Sequence, residues 1–186
     1  MLINVSRLYC VTVNKVIVAL GLLFILSFAS SAQAGETIQI SAEQLAEAIA
    51  AAAPGDTIEV TGGVFNGNIV IDKPLTLIGI DQPVIDAQNE GTIITITAPD
   101  TIVRGFTLRN SGNKLVSEDA GFNIGAPNAL IEDNRVEDVL FGIYVHSGPG
   151  TVLRGNIIDG QDLDIARRGD LISIWDSDDV LVENNV

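Results

Sequence analysis

A chain that repeats one short pattern must stack copies of one structural unit, and this sequence repeats the run at residues 141–158, FGIYVHSGPGTVLRGNII. Alternating apolar residues lead into a Gly-rich turn, a second apolar run and Arg-Gly-Asn. With Asn156 as anchor, AGFNIGAPNALIEDNRV aligns on Asn134 and DLISIWDSDDVLVENNV on Asn185. Two earlier runs, GTIITITAPDTIVRGFTL and PLTLIGI, align on Phe106 and Ile80. The anchor spacings are 26, 28, 22 and 29 residues, so one coil takes roughly 22 and the excess is loop. Short β-rich runs at such a period, punctuated by Gly, Asn and Asp, predict a parallel β-helix.

The residue types within the repeat agree. Ile94 with Ile96, Phe122 with Ile124 and Ile143 with Val145 alternate with polar neighbours, the period of a strand with one face in a core. One coil cannot bury that face alone, so each stacks on the next. Asn134, Asn156 and Asn185 then fall in a column at a bend, where amides can bond from coil to coil. Asn is also common in turns for local reasons, but recurrence at one register favours the ladder.

The N-terminus reads as a targeting segment. Residues 1–34 carry Arg7 and Lys15, no acid, an apolar run over 16–28 and Ala32-Gln33-Ala34 before Gly35, the pattern of a secretory signal with an A-x-A cleavage site. The alternative, a retained membrane anchor, suits a longer apolar run. Cys10 precedes the run and so is not a lipoprotein cysteine. The 152 residues that remain have no Cys and no Met and a formal charge of −16. That excludes a disulfide framework and soft sulfur ligands, disfavours nucleic acid as a partner, and favours basic partners.

Residues 41–53 predict the one helix: Ser41 with Gln44 forms a capping box, Leu45, Ile49 and Ala52 share a face, and Pro54-Gly55 stops it. Placed before the first coil, it would cover the open end of the solenoid. Strands are expected at residues 57–60, 69–71 and 75–78. The expected organisation is a signal at 1–34, a capping segment at 35–56 and an all-β parallel solenoid over 57–186, continuing beyond Val186.

Two insertions, at residues 111–119 and 159–169, occupy the same point of the coil and should project from one edge. The second holds Asp162, Asp164, Arg167 and Arg168, a mixed-charge cluster suited to a protein contact. His146 and Trp175 each stand ten residues before an anchor, facing outward, with Tyr144 two residues before His146. The register puts the indole over the imidazole. These rings either bind a partner or only stabilise neighbouring rungs. His146 is the one imidazole, and as a metal ligand it would have only carboxylates for company. Glu118-Asp119, Asp162 with Asp164, and Asp178-Asp179 are the carboxylates that hydrolysis of a polysaccharide could use if two converged. Adjacent Asp residues in turns are more often solvated turn formers, and no enzyme is expected.

The segments Asp119-Ala-Gly-Phe-Asn-Ile-Gly, Ile131-Glu-Asp-Asn134, Leu140-Phe-Gly-Ile-Tyr-Val-His146, Arg154-Gly-Asn156, Arg168-Gly169 and Ile174-Trp-Asp-Ser177 resemble the periplasmic maturation proteins of nitrous oxide reductase, the NosD type. The opening, Ala-Ala-Pro-Gly-Asp56-Thr and Ile71-Asp-Lys-Pro-Leu-Thr-Leu-Ile-Gly79, is similar too. The resemblance implies a right-handed β-helix of the pectin-lyase-like, carbohydrate-binding and sugar-hydrolase repeat class, without catalysis of its own. It implies docking, peripheral to the inner membrane, on an ABC transporter permease and ATPase, with a copper chaperone and nitrous oxide reductase as further partners. Copper would be handled and no cofactor held firmly. The alternative is a carbohydrate-binding or polysaccharide-processing β-helix.

Overall fold

The computed structural model describes residues 35–186; the expected signal segment lies outside the described residues. The strands form three parallel sheets, each gaining one strand per coil. The first sheet holds β1 (Thr37–Ser41), β2 (Thr57–Thr61), β5 (Thr76–Ile80), β8 (Ile102–Arg104), β11 (Leu130–Glu132), β14 (Val152–Arg154) and β17 (Leu181–Glu183). The second holds β3 (Val64–Asn66), β6 (Val84–Asp86), β9 (Thr107–Arg109), β12 (Arg135–Val139) and β15 (Ile157–Gly160). The third holds β4 (Ile69–Ile71), β7 (Ile94–Ile96), β10 (Ala120–Ile124), β13 (Phe141–His146) and β16 (Ile172–Trp175). The chain visits the sheets in turn and returns to the first one rung higher, as a right-handed parallel β-helix. Thr76 pairs with Ile102, Ile102 with Leu130, Leu130 with Val152 and Val152 with Leu181, the same four spacings as the sequence repeat.

The alternating residues point as expected. Ile94, Ile96, Phe122, Ile124, Ile143 and Val145 are fully buried in one continuous core. The asparagine column is a hydrogen-bonded ladder inside the bend from first to second sheet. Asn134 Oδ1 accepts the Phe106 N–H at 3.1 Å, Asn156 Oδ1 the Asn134 N–H at 3.1 Å, and Asn185 Oδ1 the Asn156 N–H at 2.9 Å. Each Nδ2 in turn donates to a carbonyl of the preceding coil, at Val103, Ile131 and Leu153. The residue before the anchor takes a left-handed conformation; at Gly155 (φ 65°) a Cβ would also lie 2.4 Å from Asp133 Oδ1.

The earliest anchor departs from the pattern. Ile80 is exposed, because β5 continues through it to pair with Thr61 and the chain bends only at Asp81-Gln82. The column therefore begins at Phe106. The helix is also shorter than residues 41–53: a 3-10 turn, Ala42–Gln44, leads into α1 (Leu45–Ala51), and Gln44 Oε1 accepts the Ser41 N–H at 3.3 Å. Leu45, Ile49 and Ala52 join the core as their spacing predicts. The helix does not precede the first rung, since β1 runs before it and pairs with β2 along five residues. Among the described residues no helix is long and apolar enough to cross a membrane.

A polar cluster ties the second sheet to its corner. Burial pushes the Asp86 carboxyl up, but hydrogen bonds from Asn110 Nδ2, the Gln88 N–H and Arg109 Nε outweigh it and hold the group below the usual aspartate range. A group lowered on folding adds stability above its unfolded value of about 3.9, and that stability is lost as the pH falls through the folded value. Asp86→Asn should lower the melting temperature at pH 7 and flatten its fall below about pH 4. Parallel melting curves for variant and parent from pH 7 to pH 2 would refute this.

Candidate functional site

Both insertions leave the second sheet at its corner with the third. The first begins after β9 and carries a 3-10 turn, Leu115–Ser117; the second follows β15 and carries another, Ile165–Arg167. Asp159 and Gly160, expected in the loop, extend β15 instead. Gln161 Nε2 reaches across the intervening coil to the Ser111 carbonyl at 3.1 Å, so the insertions meet on one edge.

The second insertion walls a concavity of about 460 Å³ with Leu140, Gln161, Asp162, Leu163, Arg168 and Leu171 among its lining. Arg168 donates to the Leu163 carbonyl and lies 3.9 Å from a fully exposed Asp162. Such an exposed pair contributes little to stability. Asp164 and Arg167 close the 3-10 turn through their backbones at 2.8 Å and do not line the concavity. The expected four-residue charge cluster is thus divided.

The second concavity, about 400 Å³, lies on the outer face of the third sheet and is lined by Glu118, Asn123, Tyr144, His146 and Trp175. Strand pairing builds it. Tyr144 stands beside Asn123 of the coil below, and His146 beside Trp175 of the coil above. Their neighbours in sequence, Ile143 and Val145, are locked in the core, which fixes the outward direction of the rings. The register of indole and imidazole is as expected, but the ring parallel to His146 is Tyr144, on the same strand, with centroids 6.4 Å apart and planes within 6°. Residues two apart on a strand share a face at about this spacing. Phe141 lies with its ring centroid 6.0 Å from that of Tyr144, tilted by 60°.

Glu118 is the member that the aromatic pattern did not reveal. It ends the 3-10 turn of the first insertion in a left-handed conformation (φ 52°) and accepts the Tyr144 phenol at 3.0 Å. Burial first, then the hydrogen bond and charge of Glu118, push the phenol above its ordinary range. Tyr144 is therefore a fixed, neutral donor. The residue after Glu118, Asp119, is buried and serves the loop, accepting the Lys114 N–H at 2.9 Å. Asn123 was legible only as the polar residue between Phe122 and Ile124. The other paired carboxylates do not converge here: Asp178 and Asp179 lie in the turn before β17, Asp179 at φ 57°. Among the described residues no three His, Cys, Asp or Glu side chains gather as metal ligands. His146 with Glu118 falls short of the donor set that copper or zinc takes.

The fold is thus a parallel β-helix that presents amphipathic rings from successive rungs on one outer face. The chain is similar to a protein of Pseudomonas aeruginosa named "Probable ABC transporter binding protein NosD", 32% identical over 129 residues, 68% of this chain and 30% of that protein. A protein of the same name from Stutzerimonas stutzeri is 34% identical over 101 residues, 53% of this chain and 23% of that protein. A third, from Pseudomonas aeruginosa, is 36% identical over 64 residues, 34% of this chain and 59% of that protein. These similarities bear out the NosD-type resemblance carried by the motifs, and the matched stretch spans less than a third of the length of the first two relatives. No protein-family model matches the chain, and no solved structure matches it.

Proposed function

We propose that this chain is a periplasmic, non-catalytic accessory protein of NosD type, peripheral to the inner membrane, that docks on the permease and ATPase of an ABC transporter. The observation that carries this reading is its similarity to proteins named as ABC transporter binding proteins. The geometry suits it: Ile143 and Val145, buried in the core, hold Tyr144 and His146 as a stiff surface, and Trp175 beside them is 66% exposed. Exposed Trp and Tyr on a preformed surface are common anchors of protein contacts. The finer role is in assembly of the copper centre of nitrous oxide reductase, with the copper chaperone and the reductase as further partners and copper as their cargo.

The test is affinity capture of the tagged chain from detergent-solubilised membranes and periplasm of a cell reducing nitrous oxide. Permease and ATPase should be recovered, and Trp175→Ala should lower their recovery about tenfold, the usual scale of a buried anchor. Recovery of neither protein sinks the docking reading. A second reading, polysaccharide binding, draws on the same concavity, where rings and polar groups could meet a pyranose. It predicts capture by immobilised oligosaccharide, with Trp175→Ala abolishing it.

A further inference from the structure

Resting on the docking reading, we propose that the concavity lined by Glu118, Asn123, Tyr144, His146 and Trp175 receives an arginine side chain of the protein partner. Three observations converge on a guanidinium. The walls are π-faces: Tyr144 and His146 present near-parallel rings and Trp175 stands one rung above His146. A planar, weakly hydrated cation stacks on such faces, whereas a compact ammonium does so less well. The lining also carries a carboxylate: Glu118 accepts the Tyr144 phenol with Oε1, which orients the group and leaves its second oxygen for a further donor. Asn123 adds an amide whose oxygen can accept a second N–H.

Charge selects the same occupant. No Lys or Arg lines this concavity, and residues 35–186 carry a formal charge of −16, so the field at its mouth attracts a cation. The corner concavity differs, because a guanidinium of the chain's own, Arg168, already lines it beside Asp159 and Asp162. A neutral sugar would meet the same rings and hydrogen-bond acceptors but would gain nothing from the long-range field that draws a cation.

Trp175 is the only tryptophan of the chain, so its emission reports this site alone. Titrating the purified chain with acetyl-Gly-Arg-Gly-amide should shift that emission saturably, and the citrulline peptide, equal in shape but uncharged, should bind about tenfold more weakly. Glu118→Gln should cost a similar factor with an unchanged melting temperature, and raising the salt should weaken the arginine peptide and not the citrulline one. Equal binding of the two peptides, an unaffected Glu118→Gln, a response to cellohexaose alone, or no response at all would each overturn the proposal. Transporter capture that needs Trp175 but survives Glu118→Gln would remove the arginine and leave the docking reading standing.

Discussion

Asn156→Ala should destabilise the solenoid by roughly 3–5 kcal/mol, because each buried polar group left without a partner costs about 1–3 kcal/mol. Asn156 is fully buried, and its Oδ1 holds both the N–H and the Nδ2 of Asn134 at 3.1 Å. Its Nδ2 donates to the Ile131 carbonyl and to Asn185 Oδ1, each at 2.9 Å. Alanine removes these bonds and leaves the Asn134 N–H and the Ile131 carbonyl without that partner. Asn156→Asp should be worse, since the new carboxylate faces two oxygens that previously accepted a proton from the amide. Asn185 is only partly buried, so Asn185→Ala should cost less, about 1–3 kcal/mol for the Asn156 N–H that it leaves without an acceptor. Urea unfolding of the three variants decides the matter: equal losses at Asn156 and Asn185 would mean the ladder adds nothing beyond local turn preference.

Phe122→Ala should cost about 3–5 kcal/mol, the usual range for emptying a large buried aromatic position. Phe122 is fully buried on β10, between Ile94 of the coil below and Ile143 of the coil above. Both neighbours are held by their own strands and cannot collapse into the space. Phe122→Leu should cost far less, under about 1.5 kcal/mol, since most of the volume is kept. The cavity also sits behind Asn123, so Phe122→Ala should weaken ligand-induced changes in Trp175 emission while the concavity's own side chains stay intact. In a solenoid each coil is stabilised by its neighbours, so a weak coil can uncouple those on either side. A reduced urea slope would report that uncoupling, and an unchanged midpoint would refute the core assignment.

The candidate site was half legible. Tyr144, His146 and Trp175 were placed on one outer face by counting back from Asn156 and Asn185, because strand pairing in a solenoid turns register into position. Glu118 was visible as a carboxylate but not as a member of the site. It reaches the rings through a loop whose path depends on Asp119 binding the Lys114 amide, an arrangement with no periodicity to read. The same limit applied to the second insertion, where Arg168 turned to a backbone carbonyl while Asp164 and Arg167 stayed apart from the concavity.

The coil, its register and its inward and outward faces were legible in the sequence. Those follow from a period-two alternation and an anchor residue that recurs, and both act through nearest neighbours along the chain. It also placed the helix's buried face, though not the strand that precedes it. Which corner the insertions share, the bridge that Gln161 makes over a whole coil, and the carboxylate beside the aromatic patch emerge only on packing. Those contacts join residues far apart in sequence through loops without a repeat, so nothing short of the packed chain brings them together.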